Sequence, residues 1–250
     1  MTNIKVVSYN PHRDGETYLR GVIDCYQKCF AGPPWNESHI CTVCNQQYGI
    51  DIIESISPLL ICLKKDCDGQ LEEFWSASQV AADFLNETKD DYEASKTASS
   101  WIALDGDEVI GICWGYTLTT ELLVSKVGLP TLNANLHNHF GDDIKLVAYL
   151  DELAVLPKYR SKKFDVLGGT GIAKALVNAR HRDLEKTGVK VVVVLTLAKP
   201  PTRTYEWYRD VGFTVIDHYP ENPNRVILAR TFQRSTYGCF VDREYLLMPF

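Results

Sequence analysis

The chain has no uninterrupted apolar run approaching the roughly 18–20 residues that a membrane span requires. Its first residues, MTNIKVVSYN, also lack the long apolar segment of a secretion signal. The reading is a cytoplasmic protein without membrane association. An excess of basic charge is missing too: the formal net charge is −6 over 250 residues, which argues against a nucleic-acid binder working through a basic surface. Neither common nucleotide fingerprint is present, since there is no GxxxxGK[ST], and the glycines lack GxGxxG spacing with an acidic residue about twenty positions on. No internal repeat or low-complexity tract occurs. What remains is a globular composition, 45% hydrophobic, at a length that suits one large domain or a domain carrying an insertion. The acidic balance is compatible with a cationic amine partner.

Cysteine, by contrast, is plentiful, at eight residues. Disulfides rarely persist in the cytosol, so metal binding is the first explanation for the paired ones. Cys41-x2-Cys44 and Cys62-x4-Cys67 fall within residues 39–73, beside the polar turns NQQYG and KDCDG, and read as two knuckles of a small zinc-ribbon-like insertion. Four thiolates wrap one Zn2+ tetrahedrally and leave no open position, so the site would be structural and would hold together a segment too small for apolar burial alone. The alternative is four scattered free thiols. His39 is a further ligand candidate, though it also reads as an ordinary loop histidine. Cys25 and Cys29, one helical turn apart, and Cys113, inside a strand, read as core.

The run Lys145–Leu176 organises the rest. It passes from an apolar strand through a basic, glycine-rich loop into a helix, an order that makes a phosphate cradle: glycines allow close approach, and the free N–H groups and dipole of the helix start favour an anion. Gly168, Gly169 and Gly171 supply the approach and Arg160, Lys162 and Lys163 the positive charge. The same glycines would also serve a plain tight turn. The stretch resembles the acyl-CoA signature of the GNAT superfamily of N-acyltransferases. Val155, Pro157 and Arg160 match its V-x-P-x-x-R half, and Gly168-Gly169-Thr170-Gly171-Ile172-Ala173 matches its glycine half. Gly168 stands where the family has Gln or Arg, and Lys163–Leu167 separate the two halves. A second resemblance lies in TRTYEWYRDVGFTVI, where Tyr208, Gly212 and Phe213 fit the xxYxxxGF pattern, and CFAGPPWNE resembles the family's N-terminal substrate-side segment.

The resemblance implies an α/β fold with a mixed, mainly antiparallel central sheet flanked by helices, here one domain over 1–250 with the ribbon inserted at 39–73. It implies acetyl-CoA as co-substrate and an N-acetyltransferase that passes acetyl to a primary amine of a small molecule or peptide by direct attack. Leu153, Ala154 and Val155 would meet the pantetheine arm, Gly168 to Ala173 the pyrophosphate, and Tyr208 the departing sulfur. Asp151 and Glu152 precede the cofactor turn; as strand neighbours they should point to opposite faces, and the family's habit favours Glu152 as the base. A catalytically silent CoA-binding regulatory module and a zinc-ribbon adaptor for a protein partner are the competing readings, and a homodimer is possible.

Along the chain, the pattern predicts a first strand over 3–9, a helix across Thr17–Phe30 capped by Asp14, and a helix at FWSASQVAADFLNE capped by Ser76 or Ser78. A β-hairpin should turn at Asp105-Gly106-Asp107. Residues 119–143, with His137 and His139 as surface residues, read as a lid. A helix is expected from Gly169 to Lys186, then a buried strand VKVVVVLTLA and two closing strands, RVILARTF and REYLLMPF.

Overall fold

The computed structural model describes residues 3–91, 96–198 and 203–231. Along them run β1 (Ile4–Ser8), α1 (Pro11–Asp14), α2 (Leu19–Phe30), β2 (His39–Cys41), β3 (Gln47–Tyr48), α3 (Ile50–Ile56), β4 (Leu71–Glu73), α4 (Ala77–Glu87), β5 (Thr97–Asp105) and β6 (Glu108–Thr119). There follow α5 (Thr120–Val127), α6 (Leu132–Phe140), β7 (Leu146–Val155), α7 (Ile172–Thr187), β8 (Val191–Leu197), α8 (Arg203–Asp210), β9 (Thr214–Tyr219) and β10 (Asn222–Thr231). A seven-stranded sheet has the order β1-β5-β6-β7-β8-β10-β9. Every pair in it is antiparallel except β7–β8, as the mixed α/β expectation required. Among the described residues no helix is long and apolar enough to cross a membrane.

Alternation along the strands sends side chains to two layers. On one face Tyr26 of α2 and Phe84 of α4 pack on Trp114 of β6, with ring centroids 5.9 and 5.0 Å away. On the other face Ile172 and Leu176 of α7 stand over Gly111. β8 reads VVVVLTL, and Val191 to Val194 are all buried, as a strand covered on both sides must be.

Three local expectations are corrected. Asp14 does not cap the α2 helix: Asn10 caps the short α1 by accepting from the His12 amide, Gly15 ends that turn at φ 72°, and α2 starts only at Leu19. The segment 119–143, expected as a long irregular excursion, is mostly helical. It forms α5 and α6, and α6 is tied to β9 where the buried Asp217 accepts from Thr131 Oγ1 (2.7 Å) and Asn135 Nδ2 (3.0 Å). The helix expected from Gly169 begins at Ile172, because the preceding glycines are used in a turn described below. Ser76 does cap α4, within a reciprocal capping box with Gln79. The run 243–250 lies outside the described residues.

The insertion builds its own three-stranded sheet, β3-β2-β4. Its small apolar cluster consists of Cys41, Tyr48, Ile53, Cys62 and Leu71, so cysteine makes up much of what it buries.

Gly115 on β6 marks a close approach. A Cβ there would collide with the Tyr149 carbonyl oxygen and stand 2.5 Å from Arg180 Nη2. Since backbone cannot yield cheaply, Gly115→Ala is expected to destabilise the fold by about 1–3 kcal/mol; urea denaturation showing wild-type stability would contradict this packing.

Candidate functional site

The parallel ladder between β7 and β8 is short, pairing Ala148–Leu150 with Val192–Val194. β7 then continues to Val155 and β8 to Leu197, so the two strands part and leave a wedge. The Leu156 amide donates to the Ile110 carbonyl on the β6 side. By alternation the Leu153 and Val155 N–H groups face the wedge. An extended ligand can pair with such an edge as an added strand.

At the head of the wedge β7 carries a bulge. Trp114 pairs with Glu152 and Gly115 with Leu150, which leaves Asp151 as the extra residue. This overturns the alternation expected for Asp151 and Glu152. Tyr116 Oη donates to Asp151 Oδ2 (3.4 Å), and Tyr26 Oη donates to Glu152 Oε1 (3.5 Å). Tyr116, Trp114 and the Tyr26 that stacks on Trp114 share one face, so both carboxylates lie on that face. Burial, and then the charges of Asp151 and Glu37, hold the Glu152 carboxyl well above its ordinary range. Burial likewise raises Asp151, to about 6, against the pull of the Lys126 ammonium 3.7 Å away. A carboxyl poised in this way suits proton removal near neutral pH.

Past the wedge the loop departs from the simple cradle. Asp165–Leu167 form a turn of 3-10 helix, and Gly168 and Gly169 follow at φ 66° and 72°. Their amides already donate to the Asp165 and Phe164 carbonyls. Arg160 folds back, Nε to the Val155 carbonyl (2.8 Å) and Nη2 to the Cys29 carbonyl (3.1 Å). The inserted residues 163–167 therefore take up the first two glycines, while the arginine is held by the end of β7 and by α2. The available donors lie further on, at the start of α7, where Gly171 is the N-cap without a side-chain cap and the Ile172 and Ala173 amides belong to the open first turn.

Tyr208, on α8, is 3% exposed. It lines a pocket with Leu150, Val177, Arg180, Val192 and Phe213, under the β7–β8 divide. Arg180 donates from Nη2 to the Tyr149 carbonyl (2.6 Å), through the space left by Gly115.

The four expected cysteines do converge. The sulfurs of Cys41, Cys44, Cys62 and Cys67 all lie within 4.8 Å of one another. Cys41–Cys67 and Cys44–Cys62 are each 3.6 Å apart, close to the roughly 3.8 Å edge of a tetrahedron with 2.3 Å Zn–S bonds. The Val43 and Cys44 amides donate to Cys41 Sγ and the Lys64 amide to Cys62 Sγ, as two knuckles require. The Tyr48 hydroxyl, 3.1 Å from Cys62 Sγ, draws that thiol down to about 6. The donor set fits a thiolate-bound metal. His39 is not among the four ligands; its Nδ1 lies 3.0 Å from Ser38 Oγ.

The family described as Acetyltransferase (GNAT) family matches residues 68–213, more than half of the chain and including β7, its loop and the Tyr208 helix. The chain belongs to the GNAT acetyltransferase family. Acetyl transfer is the chemistry of this GNAT family, and the wedge, bulge and α7 start lie within the matched span. Among solved structures, the acetyltransferase of Streptococcus agalactiae 2603 is similar in fold, with a TM-score of 0.50 at 14% identity, covering 93% of this chain and 100% of that one. The PaiA N-acetyltransferase of Thermoplasma acidophilum, in complex with coenzyme A, gives 0.48 at 15% identity over 92% and 99%. The ribosomal-protein-S18-alanine N-acetyltransferase of Escherichia coli gives 0.45 at 11% over 94% and 99%. No curated protein matches the sequence.

Sequence reasoning missed several residues of this site. Tyr26 was legible only as one of an apolar helix face, Glu37 only as the end of CFAGPPWNE and Trp75 only as part of the FWSASQVAADFLNE run, yet Trp75 Nε1 donates to Glu37 Oε2 (2.9 Å) and the Trp75 ring meets Tyr26 edge-on. Arg180, four residues after the inward-facing Leu176, had the right helical phase to be noticed.

Asp151 and Glu152 keep their protons to higher pH in the folded chain than in the unfolded one. As pH rises past about 4 the unfolded chain releases them first, so this contribution lowers stability as pH climbs toward and beyond 6 and is absent in acid. Glu152→Gln is expected to flatten that decline and to add on the order of 1–3 kcal/mol at pH 8. Melting curves at pH 5 and 8 with the same slope as wild type would count against a strained carboxyl here.

Proposed function

We propose that the chain transfers the acetyl group of acetyl-CoA to a primary amine of a small molecule or peptide by direct attack in a ternary complex. The observation that carries this reading is the bulge at Asp151, which brings both carboxylates to one face at the mouth of an open strand edge. Glu152 takes the proton of the attacking amine, and Asp151 shares the negative environment that attracts a cationic acceptor. The Leu153 and Val155 main chain, with Ala154 between them, receives the pantetheine arm as an added strand. The amides from Gly171 to Ala173 hold the pyrophosphate at the start of α7; Gly168, Gly169 and Thr170 shape that turn rather than grip the ligand, and Arg160 braces the end of β7 against α2. Tyr208 donates to the departing sulfur. The sequence 1–250 is read as one acetyltransferase domain with 39–73 as an inserted subdomain, in which Cys41, Cys44, Cys62 and Cys67 bind a structural Zn2+.

A second reading keeps a place because of the ribbon surface. Val43, Leu59 and Leu63 are 64%, 71% and 53% exposed, which favours the insertion as an adaptor for a protein partner, alongside catalysis or in place of it.

Calorimetric titration with acetyl-CoA is expected to show binding, and a screen for CoA release over amines and peptides to identify the acceptor; no heat at millimolar cofactor would end the enzymatic reading. Tyr208→Phe should lower kcat by roughly 10²-fold with the KM for acetyl-CoA little changed. Metal analysis of the purified protein is expected to find one zinc per chain, lost together with thermal stability in Cys44→Ser/Cys62→Ser. Metal-free wild type at full stability would dismiss the ribbon.

A further inference from the structure

Arg180 carries a positive charge in the middle of α7 at 2% exposure. A buried guanidinium is costly unless paired and fully hydrogen-bonded. Among the described residues no carboxylate forms an ion pair with it, and its Nε has no hydrogen-bond partner. Its one anchor is the Tyr149 carbonyl, two residues before the bulge. The position is built for it, since any side chain at residue 115 would fill the space the guanidinium occupies. A neutral amide donor would satisfy the carbonyl equally well, so the anchor alone does not explain the charge.

The surroundings do. Arg180 and Tyr208 line the same pocket beneath the β7–β8 divide, with apolar walls from Leu150, Val177, Val192 and Phe213 and with His181 and Arg230 also at its edge; of these basic side chains Arg180 is the one that acts on the Tyr208 phenol. A fixed charge there is screened less than one at the surface. Burial and the neighbouring Cys113 raise the Tyr208 phenol far above its ordinary value, and Arg180 is the group that opposes them.

We propose that Arg180 is a positioning residue of the acetyl transfer: anchored on the Tyr149 carbonyl, its charge supports the negative charge that Tyr208 takes on while protonating the departing CoA sulfur. This rests on the role given to Tyr208 above. In the step, the amine nitrogen forms the C–N bond and loses its extra proton to Glu152. The C–S bond then breaks with its electron pair moving to sulfur, and the Tyr208 hydroxyl proton passes to that sulfur. The phenolate left behind faces Arg180 until a proton released from Glu152 returns to it through solvent. Arg180 gives up no proton at any point. A preorganised charge aimed at the place where charge develops lowers the barrier without reorganisation.

The test is a double-mutant cycle in the full-length protein, with kcat and the acetyl-CoA KM measured for Arg180→Gln, Arg180→Lys, Tyr208→Phe and the Gln/Phe double variant, each checked by thermal melting. Arg180→Gln is expected to lower kcat about tenfold or more with KM within about twofold. Arg180→Lys, which keeps the charge, should lose less. The double variant should be no slower than Tyr208→Phe alone, because a charge acting through the phenol has nothing left to support. Losses that multiply in the double variant, equal losses for Gln and Lys, or full activity in Arg180→Gln overturn the proposal while leaving Tyr208 in place. Wild-type activity in Tyr208→Phe overturns the Tyr208 role and this inference with it. Should Arg180→Gln not fold, Arg180→Lys against Tyr208→Phe carries the same comparison.

Discussion

The parting of β7 from β8 after Leu150 and Val194 is the constraint on which the site depends. A strand in the middle of a sheet normally gives away all its main-chain groups, and leaving a ladder inside a protein leaves donors and acceptors in want of partners. Here the departure is forced by the extra residue at Asp151, because a bulge increases local twist and bends the strand that carries it. The same extra residue breaks the in-and-out alternation and delivers two acids to one side. An open strand edge and a pair of buried acids therefore arise from one irregularity. The buried charge on α7 holds the Tyr149 carbonyl just upstream, on the sheet face opposite to those acids.

The insertion is tied into this arrangement through its stems. β2 and β4 pair with each other, and the chain entering and leaving them carries Glu37 and Trp75. These two are hydrogen-bonded to each other, and the Trp75 ring meets Tyr26, whose hydroxyl reaches Glu152. In a segment with so small an apolar cluster the four converging sulfurs are a large part of what is packed together, and its stems reach the residues around Glu152.

Much of the fold was legible. The β-rich runs of β5 and β6 joined at Asp105-Gly106-Asp107, the continuous valines of β8, the serine cap of α4 and the paired cysteines each encode a local physical preference that the tertiary structure obeys. The residues that went astray are those whose outcome is decided at a distance. Asp151 and Glu152 look like ordinary strand neighbours until the register with β6 is known. The glycines at 168 and 169 look like phosphate ligands until the five residues before them fold into a turn that takes their amides. The stretch 119–143, polar and broken by Pro130, looks loose until Asp217, nearly ninety residues on in the chain, ties α6 down.

The pairing of an absent side chain at residue 115 with a long cationic one at residue 180 has a consequence for descent. The dependence is one-sided, since a methyl group at the first position meets the Tyr149 carbonyl whatever stands at the second, while the arginine needs the space that the glycine leaves. Among related sequences the arginine should therefore be found only opposite glycine, whereas the glycine, required by the main chain as well, should outlast it.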